Sequence, residues 1–278
     1  MFGFFIKVLP KKWLSHFVGI LVHMPLPQFL SQFSMKVFAG HFNINMEEAE
    51  KPFSQYKSIG DLFVRHLKPG LRPILDGVVH PADSHITFRG EIKENQVVYA
   101  KNMSFQLNDF LKQKELDSKL VGGSYITYYL CPTDYHRVHS PVEGHIEEVK
   151  IIPGKLWPVN SWSTNNINGL FAVNERAVFK IKTMDEQVIY FVMVGATNVG
   201  QIDFSFDKEL RVDHFAKDVQ EKQYSPSIKI AKGQDLGAFR MGSTVIMVYP
   251  KGFTGKIADA SNPVSVRMGE SLDLSKLH

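Results

Sequence analysis

The sequence predicts an α+β fold: a β-rich body preceded by N-terminal amphipathic helices. Three features lead there. The first 46 residues are apolar and lysine-bearing and contain no acid, the first carboxylate being Glu47. Beyond Pro69-Gly70 the chain changes to short alternating runs separated by Gly, Pro and Asn, the pattern of strands and turns. Near the C-terminus, Val245-Ile246-Met247-Val248-Tyr249 offers almost no polar relief before Pro250 stops it, as a strand buried on both faces would. The division falls at about residue 70, with a helical region at 1–70 and a β-rich body at 71–278.

Composition narrows the functional classes. Hydrophobic residues make up 44% and charged residues 22%, a globular balance rather than a disordered one. A net charge of +4 without a strongly basic run argues against a nucleic-acid partner. The single cysteine, Cys131, excludes an intramolecular disulfide and any cysteine-based metal cluster.

In the first segment, Lys7, Lys11, Lys12 and Lys36 are interleaved with Phe2, Phe4, Phe5, Trp13, Leu14, Phe17, Ile20 and Leu21. His23, Pro25 and Pro27 interrupt the longest uncharged run, so a bilayer span of about 20 apolar residues is not expected. Short helices lying in a membrane interface fit, with lysines for anionic headgroups and aromatics for the acyl boundary. The alternative is a helical pair packed on the protein's own core. A helix is expected over Leu30–Phe38 with Gly40 as its stop. Ser58 then serves as an N-cap with Asp61 in the first turn, ahead of a helix over Leu62–Leu67.

In the body, strands are expected at Ile86–Ile92, Gln96–Ala100, Tyr125–Leu130, Gly144–Ile152, Ala177–Thr183, Val188–Val194 and Gln201–Phe206. A short helix is expected at Asn108–Lys114, and a turn at Lys232–Gly237. A further hydrophobic piece lies at Val264–Val266.

Three places carry candidate chemistry. Asp83, after His80-Pro81-Ala82, is either a turn former or the partner that orients a histidine. Cys131 to Pro141 is a loop between prolines holding His136 and His139. Bent, it can bring both imidazoles to one pocket for proton transfer; the plainer reading is two histidines capping loop carbonyls. No carboxylate or cysteine stands at a familiar ligand spacing, so no metal is expected. Gly242-Ser243 opens the C-terminal strand. Gly242 lacks a Cβ, and its carbonyl can be approached by the Ser243 hydroxyl if a base stands nearby. The plainer reading is a small-residue turn.

Taken together, Pro81-Ala82-Asp83, Asp134-Tyr135-His136-Arg137-Val138-His139, Val194-Gly195-Ala196-Thr197-Asn198-Val199-Gly200 and Gly242-Ser243-Thr244-Val245-Ile246, in this order, resemble the membrane-associated, pyruvoyl-dependent phosphatidylserine decarboxylases of bacteria. The resemblance covers nearly the whole chain. It departs at Met241, where the family often has leucine, and at Ser84, where glycine is common.

The resemblance implies self-cleavage between Gly242 and Ser243 into a large chain (1–242) and a small chain (243–278). Asp83 and His139 would assist Ser243, which becomes a covalent pyruvoyl group, and His136 would serve the decarboxylation. That group supplies the electron sink that pyridoxal phosphate provides elsewhere. The implied substrate is phosphatidylserine in an anionic membrane, and the implied location is peripheral, on the cytoplasmic side of the cell membrane. Homo-oligomerisation is open at this stage. So are two alternatives, a pyruvoyl decarboxylase of a soluble amino acid and a non-catalytic lipid-surface binding protein.

Overall fold

A computed structural model describes residues 11–24, 26–100, 103–197, 201–240, 243–255 and 257–273. Phe2, Phe4, Phe5 and Lys7, Asn198-Val199-Gly200 and the Met241-Gly242 pair lie outside the described residues, as does the side chain of Ser243.

The fold is α+β. Helices α1 (Lys11–His23), α2 (Gln28–His41) and α3 (Ile59–Phe63) precede strand β1 (Ser84–Glu91), the hairpin β2 (Gln96–Ala100) and β3 (Met103–Gln106), and the short helix α4 (Leu107–Leu111). Then come β4 (Ser124–Leu130), β5 (Arg137–His139), β6 (Gly144–Ile152), α5 (Ser161–Asn166) and α6 (Leu170–Val173). The rest is β7 (Arg176–Thr183), β8 (Val188–Val194), β9 (Ile202–Phe204), β10 (Gln220–Ile230), β11 (Asp235–Phe239), β12 (Ser243–Tyr249) and β13 (Val264–Val266).

Eight strands form one antiparallel sheet in the order β10-β6-β7-β8-β12-β4-β1-β13. β12 lies inside it, which is why its residues are apolar on both sides. Val245, Met247 and Tyr249 face a core shared with Val138, Phe204, Leu236 and Phe239 of a second sheet, β5-β11-β9. Ile246 and Val248 face the opposite core, closed by the β2–β3 hairpin, α4 and α6 through Tyr99, Phe105, Phe110 and Phe171. The chain therefore passes from the small sheet to the large one between Phe239 and Ser243.

The N-terminal helices form a third cluster in which Met35 and Ala39 of α2 pack with Tyr56 and Leu62. Gly60 matters here, because a Cβ at that position would run into the imidazole of His23 on α1. The other faces of α1 and α2 expose Trp13, Phe17, Ile20, Leu21, Phe29, Phe33 and Val37. No described helix is long and apolar enough to cross a membrane.

Several local expectations change. Ser58 does cap α3, its Oγ accepting from the Asp61 N–H, but the helix covers 59–63 rather than 62–67. Residues 66–68 are drawn instead into pairing with 48–50, through Glu50 N–H to His66 O and Lys68 N–H to Glu48 O. The helix expected at 108–114 is α4 and stops at Leu111, because Lys112 takes a left-handed conformation. β10 was not foreseen: it is polar and contains Pro226, which is tolerated because the strand lies at the sheet edge. The turn expected at 232–237 gives way to β11 from Asp235, and the 131–141 loop contains β5.

Candidate active site

Three of the four sequence motifs reach one end of the large sheet, and the fourth, at 134–139, runs from there to the small sheet. Ser243 is the register partner of Leu130, and Thr244 that of both Tyr129 and Val194. His85, two residues after Asp83, is also opposite Tyr129. The start of β12, the end of β4, the end of β8 and the start of β1 are thus side by side. The loop after Leu130 then runs to the small sheet, where the Phe239 N–H donates to the His136 carbonyl at 3.0 Å. One loop thus runs between the same two sheets that β11 and β12 belong to.

His136 is fully buried, at 0% exposure. Its Nδ1 is 2.9 Å from the Asp134 carbonyl, which can only accept, so Nδ1 carries the proton and Nε2 presents a lone pair. That Nε2 is buried and has no hydrogen-bond partner. The Phe63 ring covers the imidazole with centroids 3.9 Å apart. Burial pushes the imidazole down to about 3, the nearby Arg65 charge adding to the effect and the Asp134 carbonyl opposing it.

His139 is oriented by the same logic. Nδ1 donates to the Gly233 carbonyl at 2.8 Å, and Nε2 accepts from the Tyr135 hydroxyl at 3.1 Å. Burial lowers its basicity, opposed first by the Asp235 carboxylate and more weakly by that of Asp83. The backbone ties it to the Asp83 segment, since the His139 N–H donates to Pro81 O at 2.8 Å.

The Asp83 carboxylate is held by other groups. Arg72 donates to it from Nε at 3.0 Å and from Nη2 at 2.6 Å, and the Met268 N–H donates at 2.9 Å. Arg72 also reaches Glu48 at 2.8 Å, and its bonds to Asp83 first, and to Glu48 second, strongly favour its charged form against the opposing effect of burial. Asp83 therefore bears on His139 through its charge, with Pro81 as the backbone link.

Sequence reasoning assigned no role to Phe63, Arg65, Arg72 or Tyr135. The signal for the two arginines was weak: both lie around Pro69-Gly70, where the helical region meets the body, with no acid at a telling spacing. Tyr135 stood inside the histidine motif, but nothing local marked it as the partner of His139.

His85, Cys131 and Asp134 each bring a ligand-type atom to within 4.8 Å of the others. Asp134 is engaged by the Cys131 N–H at 2.7 Å, and burial pushes the Cys131 thiol up to about 11. A separate cavity of about 490 Å³, lined by Thr87, Tyr129, Ser161, Thr164 and Ser261 among others, includes none of Asp83, His136 and His139.

Comparison with known proteins identifies the family. The profile described as phosphatidylserine decarboxylase matches residues 59–272. The phosphatidylserine decarboxylase proenzyme of Myxococcus xanthus (strain DK1622) is 38% identical over 252 residues, covering 89% of each chain. The proenzyme of Anaeromyxobacter sp. (strain K) is 36% identical over 271 residues, covering 96% of this chain and 95% of its own. That of Saccharophagus degradans (strain 2-40 / ATCC 43961 / DSM 17024) is 35% identical over 275 residues, covering 96% and 94%. With this coverage across both the helical region and the β-rich body, the chain belongs to the phosphatidylserine decarboxylase family.

Proposed function

We propose that this chain is a proenzyme that cuts itself between Gly242 and Ser243 and then decarboxylates phosphatidylserine to phosphatidylethanolamine at a membrane surface. The observation that supports the reading is that the Asp83 end of β1 and the Ser243 end of β12 flank β4 at one end of the large sheet, while the His139 N–H donates to Pro81 O from the neighbouring small sheet.

In self-processing, the Ser243 hydroxyl attacks the Gly242 carbonyl, and His139 takes the proton on Nε2 once Tyr135 moves aside. The amide becomes an ester. Removal of the serine α-proton expels the Gly242 carboxylate and leaves a dehydroalanine, and hydrolysis with loss of ammonia gives an N-terminal pyruvoyl group. Asp83 favours the imidazolium by its charge, and Arg72 keeps that carboxylate in place.

The residues present fit the group, since Ser243 is its source and His136 keeps a buried Nε2 without a hydrogen-bond partner. The pyruvoyl carbonyl, joined to the substrate amine, supplies a sink for the electrons released with carbon dioxide. His136 moves a proton: its Nε2 takes it from the substrate ammonium, which must lose it before the amine can react, and delivers it to the α-carbon once carbon dioxide has left. Burial makes that imidazolium a strong acid once formed, and the Asp134 carbonyl fixes its orientation.

The exposed apolar residues on α1 and α2 support work at a lipid surface over a soluble amino-acid substrate. The test is a denaturing gel, mass spectrometry and a lipid assay on the purified protein. Expected are fragments 1–242 and 243–278, the second with a pyruvoyl N-terminus, and conversion of phosphatidylserine in vesicles. A single uncut chain without turnover would overturn the reading. Turnover of free serine in preference to the lipid would favour the soluble-substrate alternative.

A further inference from the structure

Arg65 differs from its neighbours in how its charge is met. It is 4% exposed, yet its Nε and Nη1 have no hydrogen-bond partner. Its Nη2 makes only long contacts, 3.4 Å each, to the carbonyls of Thr133 and Asp134. Other buried arginines are fully occupied. Arg176 donates to the carbonyls of Phe110, Ala172, Asn174 and Asp109 at 2.7–3.0 Å, and Arg72 holds two carboxylates. The acids nearest Arg65 in effect, Asp83 and Glu48, are those taken by Arg72. A buried guanidinium without an anion is costly, and a fold that retains one leaves a place for an anion to arrive.

The Tyr56 hydroxyl is buried without a partner, and the Arg65 charge is close enough to act on it, against the burial that keeps the phenol protonated. The contacts to Thr133 and Asp134 fix Arg65 against the loop that presents His136, and its charge reaches that imidazole.

We infer that Arg65, with Tyr56, binds the phosphodiester of the lipid headgroup beside the loop that carries His136. This rests on the reading of the chain as a phosphatidylserine decarboxylase. The substrate has two anions, and the reaction distinguishes them. A guanidinium paired with the departing carboxylate would stabilise the ground state, because that charge is lost in the transition state. The phosphodiester, three bonds from the α-carbon, keeps its charge throughout, so pairing there holds substrate and transition state equally and acts on KM.

The test uses full-length protein with Arg65→Gln and Arg65→Lys, in detergent micelles containing phosphatidylserine. Arg65→Gln should mature into two fragments and raise KM about 10–100-fold with kcat within a few-fold, the loss expected for a charge-assisted contact. Arg65→Lys should recover part of that loss. Glycerophosphoethanolamine, which has the phosphodiester and amine but no carboxylate, should inhibit the variant at least about tenfold more weakly than the wild type. O-methylserine, with amine and carboxylate but no phosphodiester, should inhibit both equally.

Weakened O-methylserine with unchanged glycerophosphoethanolamine would move Arg65 to the carboxylate and overturn the assignment, as would an unchanged KM. If Arg65→Gln does not fold, the wild type still decides. Glycerophosphoethanolamine must then inhibit at least about tenfold better than 2-methoxyethylamine, and equal inhibition overturns the inference. A wild type that never converts the lipid refutes the proposed function instead, so the two failures are distinct.

Discussion

The ring of Phe63 lies against that of His136, with centroids 3.9 Å apart, and Phe38 of the exposed helix α2 meets Phe63 from another side at 6.2 Å. This short aromatic chain joins helices with exposed apolar faces to the buried imidazole and keeps water away from it. Phe63→Ala should cost about 3–5 kcal/mol of stability, as large-to-small changes at fully packed aromatics do. By readmitting water it should also bring His136 back toward 6.5. Denaturant titration and NMR titration of His136 check the two parts.

The pH dependence of folding follows from His136. Its folded value is about 3 against an ordinary value of 6.5, so the unfolded chain takes up a proton first as pH falls. The contribution is fully present above pH 6.5 and is lost between 6.5 and about 3, with a limiting slope of about 1.4 kcal/mol per pH unit. Urea midpoints should be measured on uncut Ser243→Ala protein with and without His136→Gln. The doubly substituted chain should lose less stability over that interval; parallel curves would refute this protonation state.

His136 and His139 should separate by function. His139→Ala should remain largely uncut, because the Ser243 hydroxyl is a poor nucleophile without a base. His136→Ala should mature and keep its pyruvoyl group, yet turn over about 10²–10⁴-fold more slowly. Fragment yield measured beside turnover decides it, and an uncut His136→Ala chain would contradict the division.

Asp83→Asn and Arg72→Gln should both slow maturation. The first removes the carboxylate charge, and the second frees that carboxylate from its 2.6 Å contact. Because both act through one ion pair, the double variant should be slowed by less than the product of the single effects. Independent, multiplying effects in timed cleavage assays would show that Arg72 does not act through Asp83.

Replacing Trp13, Phe17, Phe29 and Phe33 by serine should reduce flotation with anionic vesicles while leaving the buried face of α2, including Met35 and Ala39, intact. Wild-type binding should weaken with salt but persist in part, since lysine contacts are screened and apolar ones are not. Flotation unaffected by the four substitutions would remove this surface from the membrane reading.

The sequence by itself determined the features written in local pattern. The uninterrupted run after Ser243 is an inner strand because both its faces must be apolar, Ser58 caps a helix because its hydroxyl reaches the Asp61 N–H, and the spacing of His136 and His139 marks one loop. Tertiary structure decided the partners of those residues. Gly233 lies 94 residues from the His139 it orients, and the order of strands, which no periodicity encodes, makes them neighbours. Arg72 takes the Asp83 carboxylate because two segments eleven residues apart fold back on each other at a helix–body boundary. Arg65 is distinctive only in the folded chain, for an arginine becomes an anion site when burial has removed its water and its neighbours have supplied no counter-charge.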